Sequence, residues 1–422
     1  MATIGDMLAG VKIPQVVKVR QKFDDTVLEN YPAVLMERLR AKDIDIRPGQ
    51  RICITGGSRG IVGYQELMRT IVAFVKEKGA HPFIVPAMGS HGGATAEGQR
   101  AILAHLGITE ELVGAPVISS METVQIGETE LGLPVYIDKN AYEADGLILF
   151  NRVKTHTSIR GPHQSGLVKM MAIGLAKHKG ASFTHKLGVN NLPQNIIRVG
   201  KVGVEKLKIV AGVATIENGY NGLADVYVLK KEEIFEKEPD ILKRATAMVP
   251  EILLKEIDAL VVTEFGKEIS GNGVDPAVVG RPTNNLPNPG PTVHAFGVLR
   301  LTPSSEGNAS GIGLCDFIPR KLRDEIDEPA MYVNCATGNN VKLARIPLTV
   351  DTEEQVVKGC IMTSTKPDPN DAKFVIIRST KYLDEVYMSR AAVEAADQSR
   401  IEVIGNYFDL KFDEHGVMQL YN

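Results

Sequence analysis

Apolar residues along the chain first gather in short runs that end in glycine-rich turns. RICIT (51–55) and HPFIVPAM (81–88) read as buried strands, and each leads through such a turn into a stretch with helical spacing. After the first turn, GYQELMRTIVAFVKEKG places Ile71, Val72 and Val75 at that spacing, and Gly79 supplies the stop. TAEGQRAILAHLG is its counterpart after the second turn. ADGLILFNRV (144–153) and EKLKIVAGVATIE (205–217) continue the series of apolar strands, so the first half predicts an α/β domain with a mostly parallel sheet. In such sheets the functional loops lie at the carboxyl ends of strands.

The charged, helix-favouring stretch KKEEIFEKEPDILKRATAMVPEILLKEI (230–257) separates this half from a fresh strand at DALVVTEFG (258–266). Turn formers crowd the segment 281–310, in RPTNNLPNPGP and TPSSEGN, which predicts loops of a second domain. The pattern therefore predicts two α/β domains. The first spans 1–240, a helical linker 241–257, the second 258–390, and a C-terminal segment, 391–422, for which a return to the first domain is considered. A length of 422 residues agrees with two domains, since single cores stop growing at roughly 250–300 residues. Neither a solenoid-period repeat nor a low-complexity tail is visible.

Composition narrows the function classes. With 44% hydrophobic residues and no window near the roughly 18 unbroken apolar residues of a membrane helix, a soluble protein is expected. The opening MATIGDMLAGVKIP lacks a basic start followed by an apolar stretch, so the cytoplasm is the expected location. A net charge of -3 gives no electrostatic case for nucleic acid or an anionic membrane as partner. Cys53, Cys315, Cys335 and Cys360 lie far apart with no C-x-x-C pair, which predicts buried thiols rather than a zinc site or a disulfide framework.

Three segments carry candidate chemistry. TGGSRGI (55–61) follows a strand and opens a helix, a setting that favours an anion, and Arg59 adds a guanidinium fork for carboxylate or phosphate. A loop that merely makes the turn is the plain alternative. The same residues are similar to the glycine loop of short-chain dehydrogenases, but Val62 stands where a final glycine belongs and no Asn-Asn-Ala-Gly follows. Tyr227 and Lys231 do form a Tyr-x-x-x-Lys, a pattern short enough to arise by chance. PAMGSHGGATAEG (86–98) sets His91 among small residues, where an imidazole with an ordinary pKa of about 6.5 exchanges protons near neutrality. NRVKTHTSIRGPHQSGLVKMMAIGLAKHKGASFTHK (151–186) holds His156, His163, His178 and His185 among Lys154, Arg160, Lys169, Lys177 and Lys179. A solvated basic face accounts for Arg160, Lys177, His178 and Lys179. It does not account for Lys169, whose neighbours Leu167, Val168, Met170 and Met171 disfavour the ammonium and leave the amine available for covalent chemistry.

Taken in order, GSRGI, GSHGGAT, KTH followed by SGLVKMMAIG, and FTH resemble the nickel-pincer lactate racemase family. The resemblance implies a pyridinium mononucleotide with thioamide and thiocarboxylate arms, joined to Lys169 and carrying nickel bound by His185. The separation 185 - 169 = 16 residues is the family's. It further implies His91 and His156 as the paired acid and base, with His163 the rival to His156, and Arg59 as the holder of a substrate carboxylate. Lys267, in TEFGKEISGNG, would come from the second domain, Ser58 and Gly174 would touch cofactor or substrate, and the active site would lie in the cleft between the domains. The chain departs from the pattern at Gly56, Leu167, Val168 and Ile173 and has no Trp, so the resemblance implies a small 2-hydroxy acid as substrate without fixing which one. The implied activity is a cytoplasmic racemase or epimerase whose cofactor is built by other proteins, with oligomeric state left open. The alternatives are a nicotinamide-dependent oxidoreductase and a non-catalytic protein that binds the cofactor or a small acid.

Overall fold

The computed structural model describes residues 3–156, 159–186, 191–283, 290–337, 340–364 and 366–421. In chain order its strands are β1 (Val16–Gln21), β2 (Arg51–Gly56), β3 (His81–Pro86), β4 (Thr123–Glu128), β5 (Pro134–Asp138), β6 (Gly146–Arg152), β7 (Ile209–Glu217), β8 (Leu223–Leu229), β9 (Glu256–Phe265), β10 (Thr292–Leu301), β11 (Phe317–Pro319), β12 (Leu348–Val350), β13 (Phe374–Ile377), β14 (Glu385–Ser389) and β15 (Ile401–Phe408). They belong to two compact units, a central one of residues 24–249 and a terminal one of 1–23 together with 250–422.

The central unit is built on a five-stranded sheet in the order β3-β2-β6-β7-β8, parallel except for β8. Strand side chains alternate between its faces. Ile52, Ile54, Ile148 and Phe150 pack with Leu67, Met68 and Ile71 of the helix Tyr64–Glu77 on one side. Cys53, Leu147 and Leu149 meet Leu167, Val168, Met171, Ile196 and Ile241 on the other. Both faces are thus covered, the arrangement expected of a parallel sheet. From β2 the chain moves outward to β3 and later returns to the opposite side of β2 as β6, which makes the carboxyl end of β2 the topological switch point where such sheets bind ligands.

The terminal unit holds an eight-stranded mixed sheet, β12-β11-β10-β9-β13-β14-β1-β15. β12 to β13 in that order are parallel, and β14, β1 and β15 alternate in direction. The mixed α/β class is as the apolar pattern predicts, but the boundaries differ. β1, which the sequence reading assigned to the first domain, pairs with β14 and β15, and the segment 391–422 does not return to the central unit. The charged stretch is not a free linker: Ile241, Leu242 and Ala245 of the helix Glu233–Ala247 are buried in the central core, and the chain changes unit at 249/250. Nor is 281–310 all loop, because β10 occupies its middle, where Val293, Ala295, Phe296, Val298 and Leu299 are buried between two turn-forming clusters. Residues 284–289 of that segment lie outside the described residues. The strand read from 205 starts only at Ile209, since the helix Leu192–Lys206 runs up to it. All four cysteines are free and buried, as their spacing predicts. No helix among the described residues is long and apolar enough to cross a membrane.

Candidate active site

The loops after β2, β3 and β6 meet at the switch point. Leaving β2, the chain is held by Tyr64, whose hydroxyl accepts from the Gly57 amide at 2.7 Å, and then exposes Arg59. Leaving β3, it turns at Gly89 to His91 and enters the helix Ala96–His105, where Thr95 caps the Gly98 amide at 3.0 Å. Gly92 in this turn has φ +66°, and a Cβ there would lie 2.5 Å from the Gly98 carbonyl carbon, so only glycine fits. Ser58 and His91 join the two loops through a 2.5 Å hydrogen bond between Oγ and Nδ1. Nδ1 facing Ser58 leaves Nε2 of His91 to reach other groups.

Leaving β6, the chain makes an excursion whose ends are paired, with the Lys154 amide donating to the Ser165 carbonyl at 3.0 Å. The His156 amide donates to Gln164 Oε1 at 2.9 Å, and the Arg160 guanidinium donates to the His156 carbonyl. After Gly166 comes a short helix, Leu167–Lys169, which widens into a π-helical turn over Met170–Gly174. Such turns recur at functional sites. This one is braced on both sides: Gly89 donates to the Gly174 carbonyl at 3.0 Å and Asp138 to the Leu175 carbonyl at 2.8 Å. Gly174 has to be small, since a Cβ would come within 2.6 Å of the Ala87 carbonyl oxygen.

Electrostatics tie these segments together. Burial, followed by the charges of Lys154 and Arg59, lowers the Lys169 amine from 10.5 to about 8. His156 is lowered from 6.5 to about 3, first by burial and then by Lys169, Lys154, Arg160 and Arg59. His91 keeps an exposed edge, and desolvation of the rest of the ring, with Arg59 and Lys169, lowers it too. Both imidazoles are therefore pushed toward their neutral form, His156 more strongly than His91. Four residues chosen from separate motifs, Arg59, His91, His156 and Lys169, thus share one electrostatic environment.

His185 closes the helix Lys177–His185 and is exposed, with Nδ1 bonded to the Ala181 carbonyl at 2.7 Å. The adjacent Thr184 hydroxyl donates to the Ala172 carbonyl at 3.1 Å, three residues beyond Lys169. Lys267 belongs to the terminal unit, exposed in the turn after β9. His163, the rival to His156, is 4% exposed and its Nδ1 donates to Glu238 at 2.8 Å, so its ring faces the core. Of the presumed solvated face, His178 and Lys179 are exposed, but Lys177 is fully buried. It donates to the Pro86 carbonyl and Gln99 Oε1 and pairs with Asp138 at 3.1 Å, buried acceptors that offset part of the cost of taking its charge from water. The sequence gives no local sign of this, since Asp138 and Gln99 are 39 and 78 residues away. Tyr227 and Lys231 are engaged elsewhere, with Arg244 and the Leu207 carbonyl. A cavity of about 500 Å³ in the terminal unit, lined by His294, Cys315, Asp316 and Arg345, contains none of these residues.

Comparison with known proteins finds one family match, to part of the chain. Residues 35–196 match the lactate racemase N-terminal domain. Among curated proteins no sequence matches the chain significantly. Of solved structures, a structural-genomics protein from Thermotoga maritima is 14% identical, with a TM-score of 0.48 over 84% of this chain and 89% of that one. The lactate racemase apoprotein of Thermoanaerobacterium thermosaccharolyticum is 13% identical, with a TM-score of 0.45 over 87% of this chain and 89% of that one. Arg59, His91, His156, Lys169 and His185 all fall within residues 35–196, the stretch that is similar to the lactate racemase N-terminal domain.

Proposed function

We propose that the protein is an isomerase, a racemase or epimerase of a small 2-hydroxy acid, that works with a nickel-pincer mononucleotide joined to Lys169. The observation that carries this reading is the meeting of Arg59, His91, His156 and Lys169 at the ends of three neighbouring parallel strands. The residues present fit such a group. An amine lowered to about 8 is partly free at neutral pH, so Lys169 would be able to hold the group through a thioamide made from a thiocarboxyl arm, whose oxygen leaves as water. His185, with Nδ1 held by a backbone carbonyl, offers Nε2 in the way metal-binding imidazoles are oriented. Among the described residues no three His, Cys, Asp or Glu side chains gather around a common point, so further nickel donors would be the group's own. Sulfur and carbon donors beside one imidazole suit nickel, which accepts a planar arrangement.

When bound, the group would supply an acceptor for the substrate's Cα hydride. The chain's own residues handle the rest. Arg59 grips the carboxylate with its planar fork. His91 and His156 take and return the hydroxyl proton, and two bases on separate loops serve the two enantiomers. Each positioned proton transfer contributes roughly 10²–10⁴ in rate. The proteins that build the cofactor are the expected partners.

The test is the mass of the intact protein, with peptide mapping of Lys169, after expression beside the cofactor-building enzymes. It is followed by inversion or Cα hydrogen exchange across a panel of 2-hydroxy acids without nicotinamide. An adduct on Lys169 with inversion supports the proposal. An unmodified Lys169 in a competent host, or turnover only when nicotinamide is supplied, overturns it.

A further inference from the structure

Glu238 lies on the helix Glu233–Ala247, some seventy residues beyond the Lys169 segment, and is 1% exposed. Its Oε2 accepts from the amides of Leu167 at 2.5 Å and Val168 at 3.1 Å, the two residues immediately before Lys169. Its Oε1 accepts from Nδ1 of His163 at 2.8 Å. The His163 ring stands edge-on to Phe235, one turn earlier on the same helix, with centroids 5.0 Å apart. Gly166 leaves the space for the carboxylate, since a Cβ there would lie 2.5 Å from Glu238 Oε2. All of the carboxylate's bonds thus run to the start of the lysine's helix or to the loop that also carries His156.

We propose that Glu238, oriented by His163, is a positioning residue that fixes the amino end of the short helix and so holds the Lys169 amine in its desolvated place. The inference rests on the reading of Lys169 as the attachment point, but its mechanics concern the protein alone. The two amides have no earlier helical carbonyl to bond. A buried carboxylate satisfies both, and two charge-assisted bonds are stronger than neutral ones. Without them the three-residue helix would be free to fray and its lysine to reach water.

The experiment uses the protein without added cofactor. Trace labelling with acetic anhydride from pH 6 to 11, read by peptide mass mapping, gives the titration midpoint of Lys169, with buried Lys177 as an internal reference for integrity. Glu238→Gln keeps an acceptor for the two amides, and its amide nitrogen is able to donate to His163 Nδ1 once that ring carries its proton on Nε2, so it should retain the midpoint near 8. Glu238→Ala should move the midpoint toward 10.5, lowering Lys169 labelling at pH 7 by roughly 10²-fold while Lys177 stays protected. Gly166→Ala, whose backbone φ of 172° any residue adopts, should do the same by displacing the carboxylate, and it decides the matter if Glu238→Ala exposes Lys177. An unmoved midpoint in Glu238→Ala and Gly166→Ala with Lys177 protected overturns the proposal, as does a Glu238→Gln shift as large as that of Glu238→Ala. Those results are separate from the cofactor reading: an adduct on Lys169 in a competent host together with an unmoved midpoint would sink only the positioning role.

Discussion

Replacing Lys177 by Met removes a cation from the middle of the central core. The side chain is fully buried and gives hydrogen bonds to the Pro86 carbonyl at 2.5 Å and Gln99 Oε1 at 3.1 Å, besides its 3.1 Å pairing with the equally buried Asp138. Methionine matches the stem closely and meets the same left-handed backbone, φ 54° at this position, so packing and strain change little. The dominant effect is the carboxylate left without its partner, which costs about 3–5 kcal/mol for a buried pair broken on one side. For a unit spanning residues 24–249, where about 1 kcal/mol moves the transition by roughly 2–4 °C, the melting temperature should fall by roughly 6–20 °C. Burial is the largest influence on the Lys177 amine and holds it below its ordinary value despite Asp138, so the intact pair is a weak net source of stability. Lys177→Met with Asp138→Asn should therefore recover at least half of the loss, because Asn keeps the acceptor that caps the Ala141 amide at 3.0 Å. Calorimetry at pH 7 on the wild type, the single and the double variant is the assay. A single variant within about 1 kcal/mol of wild type, or a double variant no better than the single, would refute the reasoning.

Other expectations follow from the same site. Lys169 titrates at about 8 in the fold and near 10.5 when unfolded, so between those values the unfolded chain binds more protons and stability rises with pH. The rise is about 3 kcal/mol in all, and urea unfolding of wild type against Lys169→Met should show it only in the wild type. His156, lowered to about 3, should stay neutral by NMR throughout the mildly acidic range, and its contribution to stability should be lost as pH falls from 6.5 toward 3. Acetylating Lys169 removes a neighbouring cation, so the His156 midpoint should then rise; an unchanged midpoint would argue against their proximity. His91→Ala should retain nickel and lose inversion, whereas His185→Ala should lose nickel while Lys169 still acquires its adduct, as metal analysis and peptide mapping would show.

The apolar pattern makes the central sheet legible because each of β2, β3 and β6 carries five consecutive buried residues. The same logic places Arg59, His91 and His156 at strand ends, where the structure brings them together. What the sequence hides is pairing over long separations. β1 is a short run whose partners lie more than 360 residues on, and nothing local distinguishes it from a strand of the neighbouring sheet. Lys177 sits in a basic stretch and reads as surface until its buried acceptors are known. Glu238 shows only as one acid among many in an amphipathic helix, although its position among buried Ile234, Ile241 and Leu242 is a sign that could have been used.

The pairing of β1 with β14 and β15 has a consequence for synthesis. The central unit is complete in sequence once residue 249 has been made, while the terminal unit still lacks most of its chain. β1 is made first but has no partner until Glu385 emerges, 385 - 21 = 364 residues later, a wait of roughly 20–70 s at about 5–20 residues per second. Throughout it trails an unpaired strand with Val16, Val17 and Val19 exposed, the kind of edge that invites pairing with another nascent chain. Lys18 and Arg20, alternating with those valines, keep that strand charged during the interval and take up Glu385 as their partner once it arrives.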